Sequence, residues 1–145
     1  MNDFERQVRE TVFQTLRDTG RPPSPSSIAA SLGVATADVT SALHSLADGH
    51  RLVLRPGTDE VWMAHPFSAI PTDFVVRSRG REWFANCAWD GLAILALVGD
   101  GTLTTRSPAT GEPIVFAASG GRVSGDAVVH FLVPPRRFWE DIGFT

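Results

Sequence analysis

At 145 residues, 43% hydrophobic and 20% charged, the chain holds enough apolar material for one ordinary core, or two small ones that lean on each other, and this composition argues against disorder. A formal charge of −3 excludes any general electrostatic pull toward nucleic acid or acidic membranes. One cysteine excludes an internal disulfide and, with no signal sequence over residues 1–9, leads to the expectation of a reducing cytoplasm; the longest apolar run, Leu92–Val98, is too short to cross a bilayer.

Asn2 is placed to cap a helix whose third residue is Glu5, a variant of the capping box. Phe4, Val8, Val12, Phe13 and Leu16 then recur at helical spacing, and Gly20, Pro22 and Pro23 end the run. Ser24-Pro25 reads as cap and first residue of a second helix carrying Ile28, Ala29 and Leu32, stopped at Gly33. Thr36 is expected to cap a third, with Val39, Ala42, Leu43 and Leu46 on one face and Gly49 at its end. Arg51–Arg55 and Glu60–Ala64 flank the turn signal Pro56-Gly57-Thr58-Asp59 and read as paired strands. Three helices and a hairpin follow the order of a winged-helix module, here residues 1–65.

Pro66 and Pro71 bracket a connector, Phe67–Ile70, before strands Phe74–Arg77 and Glu82–Ala85 around a turn at 78–81. Asn86 is expected to cap a helix from Cys87 to about Val98, broken at Gly99-Asp100-Gly101. Thr102–Thr105, Ile114–Ala117 and Val128–Val133 read as further strands, and Arg136–Phe144 as a short terminal helix. The predicted class is α+β: a winged-helix-like module over residues 1–65, then a small β-sheet with one central helix over residues 66–145.

A winged helix invites a DNA-binding reading, and the charges oppose it. Base readers place Arg, Lys, Asn or Gln near the start of the recognition helix. Thr36–Asp48 has none of these and carries Asp38 and Asp48. Residues 1–65 hold six arginines against eight acids, and the wing tip, with Asp59 and Glu60, would face the phosphates. No nucleic-acid partner is expected. The module is expected to serve as a packing or dimerisation platform, the small core leaving room for a homodimer.

The catalytic vocabulary is short. All 13 basic residues are arginine, so no lysine can form a Schiff base, and there is no tyrosine. The four histidines form no HxxxH or His/carboxylate cluster, which argues against a structural zinc site and against a resident cofactor. Cys87 and Asp90 stand at i and i+3, one face of a helix, so both can reach one pocket. In a first turn, free N–H groups and the helix dipole favour a thiolate, while Asp90 opposes it unless protonated. The pair suits a thiolate nucleophile beside a carboxylic acid that donates a proton. Against this stands the reading of Cys87 as a small buried hydrophobe among Ala88, Leu92 and Ala93. Trp89 is a candidate wall for an apolar substrate pocket, and His130 lies on a predicted strand within reach of it.

The segments His65-Pro66-Phe67-Ser68-Ala69-Ile70-Pro71-Thr72 and Trp83-Phe84-Ala85-Asn86-Cys87-Ala88-Trp89-Asp90-Gly91-Leu92-Ala93-Ile94, continued in Ala109–Ile114 and Val129-His130-Phe131, resemble the alkylmercury (organomercurial) lyase family. The resemblance implies that Cys87 is the thiolate that attacks and ligates mercury, and that Asp90 relays or delivers the proton that releases the hydrocarbon. Mercury then enters as part of a small-molecule substrate. The family's second active-site cysteine falls at Asp126 or Ala127, and this shorter chain has no other cysteine. Mercury(II) is soft and favours two thiolates, so an external thiol is the expected co-reactant. The alternatives are metal-free lyase or isomerase chemistry by the same pair on a small organic substrate, non-catalytic binding of a soft metal or ligand, and transcriptional regulation.

Overall fold

The structure, a computed structural model, describes residues 1–131 and 133–143. Three helices lead: α1 (Asp3–Thr19), α2 (Pro25–Leu32) and α3 (Thr36–Asp48). Strands β1 (Val53–Leu54), β2 (Val61–Ala64), β3 (Phe67–Ser68), β4 (Val75–Ser78) and β5 (Arg81–Ala85) follow, then helix α4 (Ala88–Val98). Strands β6 (Gly101–Arg106), β7 (Pro113–Ser119) and β8 (Arg122–Ser124) and a 3₁₀ turn over Pro135–Glu140 complete the order.

The helix ends form as the sequence dictates. Asn2 Oδ1 accepts the Glu5 N–H at 2.8 Å while Glu5 Oε2 accepts the Asn2 N–H at 2.7 Å, a reciprocal capping box. Ser24 caps α2 through the Ser27 N–H, and Gly20 and Gly33 end their helices at positive φ. Helix α3 differs from expectation: Ala35, not Thr36, is its N-cap, with no side-chain hydrogen bond.

All eight strands join one antiparallel sheet in the order β1-β2-β3-β5-β4-β6-β7-β8. The expected connector after Pro66 therefore contains a strand, because Phe67 pairs with both Ala64 and Ala85. That pairing makes the hairpin at 53–64 continuous with the sheet that carries α4. Strand β8 is a three-residue exposed edge with one apolar side chain, Val123, too short for an apolar alternation to announce it. The expected strand Val128–Val133 does not form at residues 128–131 and 133, where the chain runs without ladder partners. Leu132 of that segment, and Phe144 at the end of the expected terminal helix, lie outside the described residues, as does Thr145; the helix itself is the shorter 3₁₀ turn.

The core is one apolar cluster running from α1, α2 and α3 through Phe67 to Val76, Trp83, Ile94 and Leu103. Phe13 meets Phe67 edge-to-face at 5.4 Å. Trp83, on β5, shares its indole N–H between the Leu16 and Arg17 carbonyls at 3.0 and 2.9 Å at the end of α1, where the Leu16 carbonyl also accepts the Gly20 N–H. Gly91 sets α4 directly on β6, since a Cβ there would meet the Leu103 side chain at 2.6 Å.

Gly20 has φ 73°, and a Cβ on it would collide with the Glu82 carbonyl oxygen; Gly33, at φ 68°, faces open space. Gly33→Ala should thus cost only left-handed strain, about 1 kcal/mol. Gly20→Ala adds a backbone clash and should cost about 2–3 kcal/mol or more. Urea unfolding midpoints for the two variants check the order, and equal shifts would contradict it.

Candidate active site

The turn from β5 into α4 places the only thiol. Cys87 itself is the N-cap of α4, not its first residue, with extended φ −152°. Its Sγ accepts the Asp90 N–H at 3.5 Å, and its carbonyl accepts the Gly91 N–H at 3.0 Å. Asn86, a better capping residue by chemistry, is not the cap because its amide is used elsewhere. Asn86 Nδ2 donates to Asp90 Oδ2 at 2.9 Å and lies 3.2 Å from His65 Nδ1. His65 Nδ1 in turn lies 3.3 Å from Asp90 Oδ2. Three side chains from the β2–β3 junction, the β5–α4 junction and the first turn of α4 thus meet around one carboxylate oxygen.

Cys87 lines a cavity of about 590 Å³. Met63, Phe74, Ile114 and Phe116 make its apolar sheet side, and Val128, His130 and Phe131 of the tail form part of the opposite boundary. The thiol does not show the depressed pKa expected of a first-turn cysteine. Half-burial raises it, the negative charge of Asp90 raises it further, and the N–H groups of Asp90 and Trp89 only partly offset these effects. Desolvation outweighs the helix terminus, so the site favours the thiol over the thiolate more than water does.

The predicted site residues divide. Cys87 and His130 lie on the cavity wall. Asp90 follows Cys87 within one turn, but its carboxylate turns toward His65 and Asn86 and is not among the lining groups. Trp89 is 62% exposed and off the cavity, because one step along the helix from Ala88 rotates it outward; it is not a pocket wall. Asp126 is exposed and outside the lining, while its neighbour Ala127 is part of it. Sequence reasoning missed His65 and Asn86 as partners of Asp90. The only signal for Asn86 was its adjacency to Cys87, and His65, 25 residues from Asp90, gave none.

Two buried oxygens, Asn86 Oδ1 and Thr105 Oγ1, have no hydrogen-bond partner among the described residues, and both residues line the cavity. An unpaired buried polar atom costs about 1–3 kcal/mol, so these mark the wall as a place where an occupant gains by supplying a partner. Among the described residues no three His, Cys, Asp or Glu side chains gather as a metal-binding group. Capture of a soft metal here would rest on Cys87 and on what a co-reactant adds.

Comparison with known proteins places these residues in a family context. Residues 67–144 match the family model for MerB, alkylmercury lyase. A solved structure described as the mercury-bound form of MerB2 superposes with a TM-score of 0.71 at 29% identity, covering 87% of this chain and 61% of that one. The chain thus spans about three fifths of the length of that structure. No match emerges among curated proteins.

Proposed function

Since the chain belongs to the alkylmercury lyase family, we propose that it cleaves a carbon–mercury or similarly polarised carbon–metal bond of a small organometallic substrate. The observation that carries this reading is Cys87, the sole thiol, standing on the wall of a largely apolar cavity at the N-terminus of α4, inside the matched segment. The Cys87 sulfur displaces a labile ligand from R–Hg–X, forming Cys–S–Hg–R and releasing X⁻ and the thiol proton. The Asp90 carboxyl then turns from His65 toward the adduct and gives a proton to the carbon, so that R–H leaves and mercury(II) stays on the sulfur. An external thiol R′SH then binds the mercury as thiolate and releases its proton, and a second R′SH displaces Cys87, which takes that thiol's proton as mercury(II) leaves as Hg(SR′)₂.

The test is methane release from methylmercury, with and without excess small thiol. Turnover should depend strongly on added thiol, and Ala127→Cys should raise it, because position 127 lines the cavity and position 126 does not. Methane at background both with thiol and in the Ala127→Cys variant would sink the reading. A second reading, capture without cleavage, draws on the orientation of Asp90 toward His65 and Asn86. Under it, a stoichiometric mercury adduct forms on Cys87 and no hydrocarbon follows.

A further inference from the structure

We propose that His65 is a positioning residue that returns a proton to Asp90 after each turnover, with Asn86 holding the carboxyl in the loading position. The inference rests on the lyase reading and assigns to that site a residue that neither the Cys-x-x-Asp spacing nor the family match singles out.

The Asn86 amide nitrogen has two hydrogens, and three acceptors lie near it: Asp90 Oδ2 at 2.9 Å, His65 Nδ1 at 3.2 Å and the Pro66 carbonyl oxygen at 3.4 Å. The shortest contact takes one hydrogen. When the second goes to Pro66, His65 Nδ1 is free to carry its own proton and donate it to the Asp90 carboxylate across 3.3 Å. Once that proton has passed to Asp90, the single lone pair of the bare Nδ1 accepts it back from the carboxyl, and the second Asn86 hydrogen stays on Pro66. The same heavy-atom positions thus serve both sides of a proton transfer: His65 Nδ1–H with Asp90 carboxylate, and bare His65 Nδ1 with Asp90 carboxyl. Only the proton between them moves, while both Asn86 hydrogens keep their acceptors.

Exposure sets the direction of flow. The His65 side chain is 37% exposed and that of Asp90 17%, so the imidazole is the member of the pair that meets bulk solvent. After Asp90 has protonated the departing carbon it is a carboxylate. Returned beside His65, it takes the Nδ1 proton of the imidazolium, which becomes a neutral imidazole and regains a proton from water or buffer acid. One proton enters from solvent for each hydrocarbon released, and no oxidant or reductant is needed.

The test uses the full-length chain with methylmercury and excess small thiol, comparing wild type, His65→Ala and His65→Gln. Both variants should form the Cys87–mercury adduct at the wild-type rate, read by mass spectrometry. Methane turnover should fall by about 10²-fold, the lower range for loss of a proton-transfer group. Added imidazole should restore turnover of His65→Ala in proportion to the concentration of its acid form, and leave wild type unaffected. A residue that merely props up Asp90 would show no such dependence on buffer acid. The relay alone is overturned if wild type releases methane and His65→Ala matches it, or if the lost rate does not respond to imidazole. Absence of methane from wild type would instead remove the lyase reading, and the relay with it.

Discussion

Replacing Cys87 by serine removes both capture of an alkylmercury compound and hydrocarbon release, taking each to background while the protein stays folded. Serine is nearly isosteric, but its hydroxyl is a hard, weakly acidic ligand that does not hold mercury(II) at neutral pH. Folding is protected by the place of the residue. Cys87 is the N-cap of α4, and serine is among the preferred residues there, able to accept the Asp90 N–H that the sulfur now accepts at 3.5 Å. The melting temperature should therefore hold or rise as activity vanishes. Wild-type capture should also quicken as pH rises from neutral into the alkaline range, because burial holds the thiol up and the reactive thiolate fraction grows with pH. Adduct formation by mass spectrometry, beside a thermal melt, checks the prediction. Adduct on the serine variant would place the reactive group elsewhere.

Asp90→Asn separates the two half-reactions. The amide can keep one contact with Asn86 or His65 and leaves the backbone N–H that bonds Cys87 in place, so methylmercury should still be captured at close to the wild-type rate. An amide has no acidic proton to give the carbon, and methane turnover should fall by about 10²–10⁴-fold. The captured species should then build up as a Cys87–Hg–CH₃ adduct with the carbon–mercury bond intact. Methane release at the wild-type rate would mean that another acid, or water, supplies the proton.

How far the sequence foretold this arrangement varies with the range of the forces involved. The helices at 3–48 were legible because their signals are local: the Asn2/Glu5 capping box, Ser24 before Pro25, and glycines at positions that turn left-handed. The position of Cys87 at the start of a helix was legible for the same reason, to within one residue. The cap itself was misassigned, since Asn86 spends its amide on Asp90 and His65, a tertiary demand that overrides local preference. The sequence left the thiol between an activated and a buried reading, because burial depends on how the tail and sheet close around it, which no spacing rule encodes. Strand β3 escaped notice because two residues between prolines carry no periodicity and are fixed only by neighbours on either side. At 128–131 the opposite happened: Val128, Val129 and Phe131 imitate a strand, yet no ladder forms there. His65 was the costliest omission, since its link to Asp90 exists only once the chain has brought positions 25 residues apart together.

The continuity of the sheet bears on how such a chain can be inherited. Residues 1–65 and 66–145 look like separable modules, yet β2 is hydrogen-bonded to β1 on one side and β3 on the other, and the indole of Trp83 occupies the carbonyls at the end of α1. A recombination crossover at 65/66 would leave β2 with an open edge, strip the partner from one side of β3, and bury or expose an unpaired indole N–H, depending on the new neighbour. His65 would also part from Asp90, because the crossover falls between them. The gene segment is thus expected to pass through lineages whole up to the exposed turn near 120, where glycines face open space and a joint would cut only the edge ladder between β7 and β8.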